Sequence, residues 1–326
     1  MFVVNLAYIN ASNGMFWYAI DKIRSLGDEQ TDCLILVRDA LAPLAARELP
    51  LVRVEAATRI SAWKRIAGLK RRLGNALRTV SFTSHPIPFL SGQTIAFYDD
   101  YPFQGGAVAM AKRLLFVVAA RSSRSRIGII NRSLALPFLQ RCGIAENRIF
   151  FDSALPAVDL RNVSARSTSP GTPLRIGLVG TDSLKKDYAA VFAAVRALGA
   201  SGDVRLLLYG AENDYTDRLR RDFPEINHAV LSSDDVDMPT YFASIDYLVS
   251  ASMAEGYGRP MGLAAVLGVP MFLLRSPVFV EFFADHAQFF DAIEPMIRHI
   301  VTTRPPASVA SASAINAVRA RSQFFD

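Results

Sequence analysis

Apolar runs of strand length alternate with helix-length segments along the chain. Residues 2–9 (FVVNLAYI) read as a strand, 14–26 as a helix and 33–37 (CLILV) as a second strand, with further strands at 94–98 and 127–131. This βαβα order predicts a doubly wound parallel sheet. Residues 164–173 (SARSTSPGTP) are small, polar and punctuated by Pro and Gly, as a linker would be. The alternation then restarts. Strands are expected at 174–179, 204–209, 247–250 and 270–274, and helices at 187–198, from 238, and at 260–267.

The predicted fold is therefore α/β. It has two Rossmann-like halves, residues 1–168 and 169–326, facing a cleft. A biased tract at 305–313 (PPASVASAS) leads to a short terminal helix at about 314–326, which is expected to pack back on the first half. In open α/β sheets ligands bind beyond the carboxyl ends of the strands, so each loop that follows a strand is a candidate.

Composition narrows the class. Half the residues are apolar (51%) and a fifth charged (20%), which suits an enzyme with sizeable cores and excludes a disordered chain. Cys33 and Cys142 stand far apart and read as thiols in a reducing compartment. The first ten residues lack a basic start and a cleavage site, and no apolar stretch approaches the roughly 18 residues of a membrane span. A cytoplasmic location follows as the expectation. Charge divides unevenly: residues 1–168 hold 22 Lys and Arg against 12 Asp and Glu, the remainder 14 against 18. Between Ala56 and Tyr98 seven cations occur before any acid, so the first half is expected to face something anionic.

The most informative segment is 241–270, YFASIDYLVSASMAEGYGRPMGLAAVLGVP. A strand ends in a loop holding Ser252 and the acid Glu255. Gly256 and Gly258 flank Tyr257 and let the backbone approach a ligand, and Pro260 opens the next helix. The helix start offers amides and a positive dipole end to an anion. A diphosphate carrying a sugar fits, with Glu255 accepting from sugar hydroxyls. This pattern, continued by Gly268-Val-Pro270, resembles the E-x7-E segment of the retaining GT-B glycosyltransferases known as family 4. The likeness covers residues 174–274 well and continues more faintly through the first half.

The resemblance implies further roles. The family's second acid, which holds the nucleotide ribose, falls on Leu263. After the strand LRIGLV come Gly180 and Thr181; Thr181 stands at the family's phosphate-binding Arg position and Lys186 at its Lys position. Lys186 is either a phosphate ligand or a solvated residue before a helix. Arg259 either supplies the missing cation or faces outward. Gly210 matches the glycine loop on the nucleotide side, or is a turn glycine. Asn13 and Gly14 match the loop that borders donor phosphate and acceptor, although Asn13 or Ser12 also suits a helix cap. Asp99 stands where the family has a histidine. With Asp100 it contacts sugar or steadies charge at the anomeric carbon, or else pairs with arginines. His85 reaches the cleft or is structural. Asp235-Val-Asp237 spells D-x-D, yet it precedes a helix and Asp237 reads as an N-cap, so no metal site is assigned.

Residues 61–78, from Ser61 to Arg78, carry Trp63, Ile66, Leu69, Leu73 and Leu77 at helical spacing among cations. Such a helix lies on an anionic membrane surface or packs on the core with a solvated basic face. Nucleic acid is not an expected partner, because no recognised module accompanies the charge. The resemblance implies transfer of a hexose from a nucleoside-diphosphate sugar to a hydroxyl of a glycan or lipid-linked acceptor. Configuration would be retained and no metal or other cofactor needed, in cell-surface polysaccharide synthesis at the inner face of the cytoplasmic membrane. The alternatives are a GT-B binding protein that has lost catalysis and a nucleotide-sugar epimerase of the same fold. A dehydrogenase is disfavoured, since Gly177-Leu-Val-Gly180 is not a full G-x-G-x-x-G.

Overall fold

The computed structural model describes residues 1–98, 100, 103–154, 173–181, 186–304 and 323–325. The chain divides into two compact units, Met1–Ala157 with Arg319–Asp326, and Val158–Val318. The expected boundary at 168/169, most of the linker and the tract at 305–313 lie outside the described residues.

In the first unit the strands are β1 (Phe2–Asn5), β2 (Cys33–Val37), β3 (Arg53–Ala56), β4 (Arg78–Ser81), β5 (Gln93–Phe97), β6 (Arg126–Ile129) and β7 (Ile149–Phe151). They form one parallel sheet in the order β3-β2-β1-β4-β5-β6-β7. Helices α1 (Gly14–Arg24), α2 (Ala42–Glu48), α3 (Arg59–Leu73), α4 (Ala107–Ser122) and α5 (Ala135–Arg141) make the crossovers. All residues of β1, β2 and β5 are buried, as strands covered on both faces must be. One cluster sets Ala62, Ile66 and Leu69 of α3 against Val3, Leu34 and Leu36; another sets Phe116 of α4 and Phe138 of α5 against Ile95, Phe97 and Ile127.

Several predicted bounds shift. The first strand stops at Asn5, not at residue 9, because the Asn5 side chain accepts from the Ala7 amide (3.1 Å) and the backbone turns. The basic helix runs over Arg59–Leu73, not 61–78. Gly74, at φ 53°, ends it, Leu77 is buried, and Arg78 opens β4. Of the terminal helix only Gln323–Phe325 is described, as a 3-10 turn. Phe325 meets Phe2 edge-on at 5.3 Å, Phe324 lies 5.1 Å from both Phe82 and Phe150, and Arg78 donates to the Phe325 carbonyl at 3.0 Å. Gly128 makes room for them, since a Cβ there would overlap the Phe324 ring.

The second unit repeats the plan with β8 (Leu174–Val179), β9 (Val204–Tyr209), β10 (His228–Leu231), β11 (Tyr247–Ser250), β12 (Met271–Leu274) and β13 (Ala287–Phe290). Their order is β10-β9-β8-β11-β12-β13, again parallel. Its helices are α6 (Tyr188–Ala197), α7 (Asp214–Asp222), α8 (Met238–Ser244), α9 (Arg259–Val266), α10 (Pro277–Phe283) and α11 (Ile293–Thr303). Gly177 is a packing glycine: a Cβ would stand 2.6 Å from the Tyr241 hydroxyl and 2.5 Å from Ile245. Among the described residues no helix is long and apolar enough to cross a membrane.

A buried ion pair ties α1 to the end of β7, with Lys22 Nζ 2.6 Å from Asp152 and both side chains nearly enclosed. Removing one partner leaves the other charge buried. Asp152→Ala is therefore expected to cost about 3–5 kcal/mol in urea unfolding of the first unit's transition. A loss below about 1 kcal/mol would show that water reaches the lysine.

Candidate active site

In the second sheet the crossovers run from β8 towards β10 on one side and from β11 towards β13 on the other. The strand order reverses between β8 and β11, and such a switch point opens a crevice at the carboxyl ends of the two strands. The predicted donor residues come from the loops that leave these two strands and β9.

After β8, Gly180 (φ 93°) turns the chain and its amide bonds the Tyr209 carbonyl at 2.9 Å. Thr181 is buried, and its hydroxyl donates to the Ala211 carbonyl at 2.6 Å. Asn213 Nδ2 donates to the Thr181 carbonyl (2.9 Å), while its Oδ1 caps α7 by accepting from the Tyr215 and Thr216 amides. Gly210 is obligatory: its φ is 149°, and a Cβ would lie 2.5 Å from Thr181 Oγ1. Thr181 thus stitches two loops together and presents no charge. The N-terminal amides of α6 are also engaged, since the Tyr215 hydroxyl accepts from Tyr188 (2.9 Å) and Ala189 (3.3 Å).

Lys186, just ahead of α6, lies 2.6 Å from Glu255 in the loop after β11. Their side chains are only 13% and 12% exposed, so this pair is largely shielded from water. In the same loop Ser252 is fully buried, and its hydroxyl has no hydrogen-bond partner among the described residues. An orphaned hydroxyl of this kind costs about 1–3 kcal/mol. Gly256 is half-buried. Gly258 adopts φ 84°, where a Cβ would come within 2.9 Å of Phe279, and it starts α9 with no side-chain cap and no acid in the first turn. Arg259 is half-buried at this helix start. Two residues of the motif turn inward. Tyr257 packs on Phe282 (4.7 Å) and Phe283 (5.6 Å), and burial pushes its hydroxyl pKa up. Leu263 is buried in α9.

In the first unit Asn13 caps α1, its Oδ1 accepting from Met15 (3.0 Å) and Phe16 (3.2 Å), and Gly14 is the first helical residue. Asp100, beyond the carboxyl end of β5, accepts from Gln104 at 2.8 Å; Asp99 lies outside the described residues. His85 is exposed beyond β4, with its ring 5.4 Å from that of Tyr8. Asp237 caps α8 through the Thr240 amide (2.8 Å), as expected of an N-cap. Among the described residues no three His, Cys, Asp or Glu side chains gather as a metal site requires.

No protein-family model matches the chain. The serotype-specific mannosyltransferase WbdA of Escherichia coli is 30% identical over 125 residues, which span 36% of this chain and 15% of that protein. Among solved structures, HepE of Anabaena in complex with UDP-glucose is 15% identical, with a TM-score of 0.72 over 97% of this chain and 94% of HepE. WaaG, a glycosyltransferase involved in lipopolysaccharide biosynthesis, is 10% identical, with a TM-score of 0.66 over 98% and 94%. A glycosyltransferase from Rickettsia africae is 12% identical, with a TM-score of 0.66 over 98% and 90%. The chain has the GT-B fold.

Within the second GT-B unit, Asn213 and Tyr215 were missed from the sequence. Asn213 was legible as a cap ahead of Asp214, in the pattern N-x-x-T, but its second bond, to Thr181, joins loops 32 residues apart. Gly210→Ala should lose at least about 2 kcal/mol of stability by overpacking and positive-φ strain. Combining it with Thr181→Ala should cost less than the sum of the two single changes in a denaturant double-mutant cycle. Additivity would mean that the two side chains do not meet.

Proposed function

We propose that the protein is a glycosyltransferase whose second unit binds a nucleoside-diphosphate sugar at the β8/β11 switch point. The observation that carries this reading is the shielded Lys186–Glu255 pair there, beside an uncapped helix start. Without ligand each group satisfies the other. A bound donor offers a phosphate oxygen to the Lys186 ammonium and sugar hydroxyls to the Glu255 carboxylate, so the pair separates onto two parts of one molecule. The partly identical WbdA and the HepE complex with UDP-glucose support such a donor.

The transfer we propose is of a hexose, with retention and without a metal, to a hydroxyl of a glycan or lipid-linked acceptor in cell-surface polysaccharide synthesis. The bond between the anomeric carbon and the diphosphate breaks as the acceptor oxygen adds on the same face. A phosphate oxygen takes the acceptor proton. Lys186 and the start of α9 stabilise the departing negative charge, a contribution commonly worth 10²–10³ in rate. Leu263 cannot accept from a ribose hydroxyl, so the ribose is held by other groups.

A panel of UDP-, GDP-, ADP- and dTDP-sugars tests the donor site by binding and slow hydrolysis in the presence of a chelator. One donor is expected to bind, and Glu255→Gln or Lys186→Ala to lower its turnover about 100-fold or more. If no donor binds at millimolar concentration, the transferase reading fails and the accessory-protein reading takes its place.

We also propose that the enzyme works on the inner face of the cytoplasmic membrane. Ile66, Leu69 and Leu77, three of the five apolar residues expected along the basic helix, are buried in the core. Trp63 and Leu73 remain partly exposed among the cations of residues 61–78. On α4, Val108, Met110, Leu114, Leu115 and Val118 are all more than half exposed, alongside Lys112 and Arg113 and with no acid in the helix. Apolar residues interleaved with cations match an anionic lipid surface. The protein should sediment with vesicles containing phosphatidylglycerol and not with neutral ones. Leu114→Glu with Leu115→Glu should weaken this more than about tenfold; unchanged sedimentation would remove α4 from the contact.

A further inference from the structure

The first sheet has its own switch point, between β1 and β4. The loops leaving these strands meet there: the Tyr8 ring, after β1, stands 5.4 Å from that of His85, after β4. Arg59, at the start of α3, sets its guanidinium 5.0 Å from the Tyr8 ring centre. Beside them an open cavity of 640 Å³ is bounded by Asn10, Arg38, Thr58, Arg59 and Ile60. These residues follow the carboxyl ends of β1, β2 and β3, so three adjacent strands build one pocket.

Among the described residues no carboxylate pairs with the cations here. Arg24, Arg53, Arg65, Arg175 and Arg220 all pair with carboxylates. Among the described residues no carboxylate lies within 4.0 Å of Arg38, Arg59 or Lys112, although Asp39 is next in sequence to Arg38. The local field registers on His85. Partial desolvation, followed by the positive charges of Arg59 and Lys112, holds its imidazole below the usual histidine range. Cations gathered at a ligand-binding end of a sheet without an internal partner raise the affinity of that end for anions. The Thr58 hydroxyl is committed to the capping box with Ser61, which leaves recognition to the two guanidinium forks and to Asn10.

We infer that this pocket binds an anionic group, a phosphoryl or a carboxylate, carried by the acceptor. Arg38 and Arg59 grip its oxygens through charge-assisted bonds, and Tyr8 both orients the Arg59 fork and offers a ring face to the adjoining sugar. The assignment to the acceptor rests on the transferase reading; anion binding itself does not.

The test is calorimetric titration of the full chain with methyl phosphate, with methyl glucuronide and with neutral methyl glucoside. Wild type, Lys186→Ala and Arg38→Gln/Arg59→Gln are compared. Arg59 is exposed and Arg38 half-exposed, so the double variant should melt as wild type does. One anion is expected to bind, about tenfold or more weakly in the arginine variant and unchanged in Lys186→Ala, with methyl glucoside silent. Preference for methyl phosphate names a phosphorylated or lipid-diphosphate acceptor; preference for the glucuronide names an acidic sugar. The inference is overturned if neither anion binds wild type, if the arginine variant binds as wild type does, or if only Lys186→Ala loses binding. If the anion binds at the arginines while no sugar nucleotide binds the second unit, the pocket stands and its assignment to a transferase acceptor falls.

Discussion

A parallel strand covered on both faces can do chemistry only at its ends. Its side chains are taken up by helices above and below, and its backbone groups by neighbouring strands. Both sheets obey this constraint. β1, β2, β5, β11 and β12 are buried along their whole length. The polar and charged residues of the two candidate sites therefore lie in loops and helix starts beyond carboxyl ends, close to where the strand order reverses.

The constraint also explains how much of each loop is scaffold. In the second unit Gly210, Thr181 and Asn213 lock the loops after β8 and β9 together, and Tyr215 takes the first amides of α6. Lys186 is thereby carried on a fixed base to Glu255, across the β8/β11 boundary. Such a shielded pair of opposite charges can be re-partnered by a ligand that carries both an anionic group for the lysine and hydroxyl donors for the glutamate. In the first unit the cations near Tyr8 and His85 have no such partner among the described residues. The two switch points thus differ in kind: at one a lysine and a glutamate pair closely, and at the other Arg38 and Arg59 border an open pocket.

Two Rossmann-like units were legible in the order of elements, because the periodicity of apolar residues records which segments are covered on both sides; the GT-B form came only with the resemblance of residues 241–270. The loop after β11 was legible too, since glycines and a proline at fixed offsets leave a signature. Other features were not. Leu263 and Tyr257 lie inside the motif yet pack inward, and Ile66 and Leu69 belong to an apparently amphipathic surface helix yet serve the core. A helical stripe shows that one face is apolar and not what covers it. The exposed apolar side of α4 is broader than that of α3, and the sequence did not mark it.

By itself the sequence determined the two α/β units, eight of the thirteen described strands, the glycine turns, the Asp237 cap and the acid Glu255 in its loop. These depend on local propensity and on periodicity, which act over a few residues. Only the tertiary structure decided that Lys186 meets Glu255, 69 positions away, that Thr181 stitches two loops together, and that Arg38 and Arg59 share one pocket. Such pairings follow from strand order, and strand order is fixed by the packing of whole crossovers, which no short stretch of chain encodes.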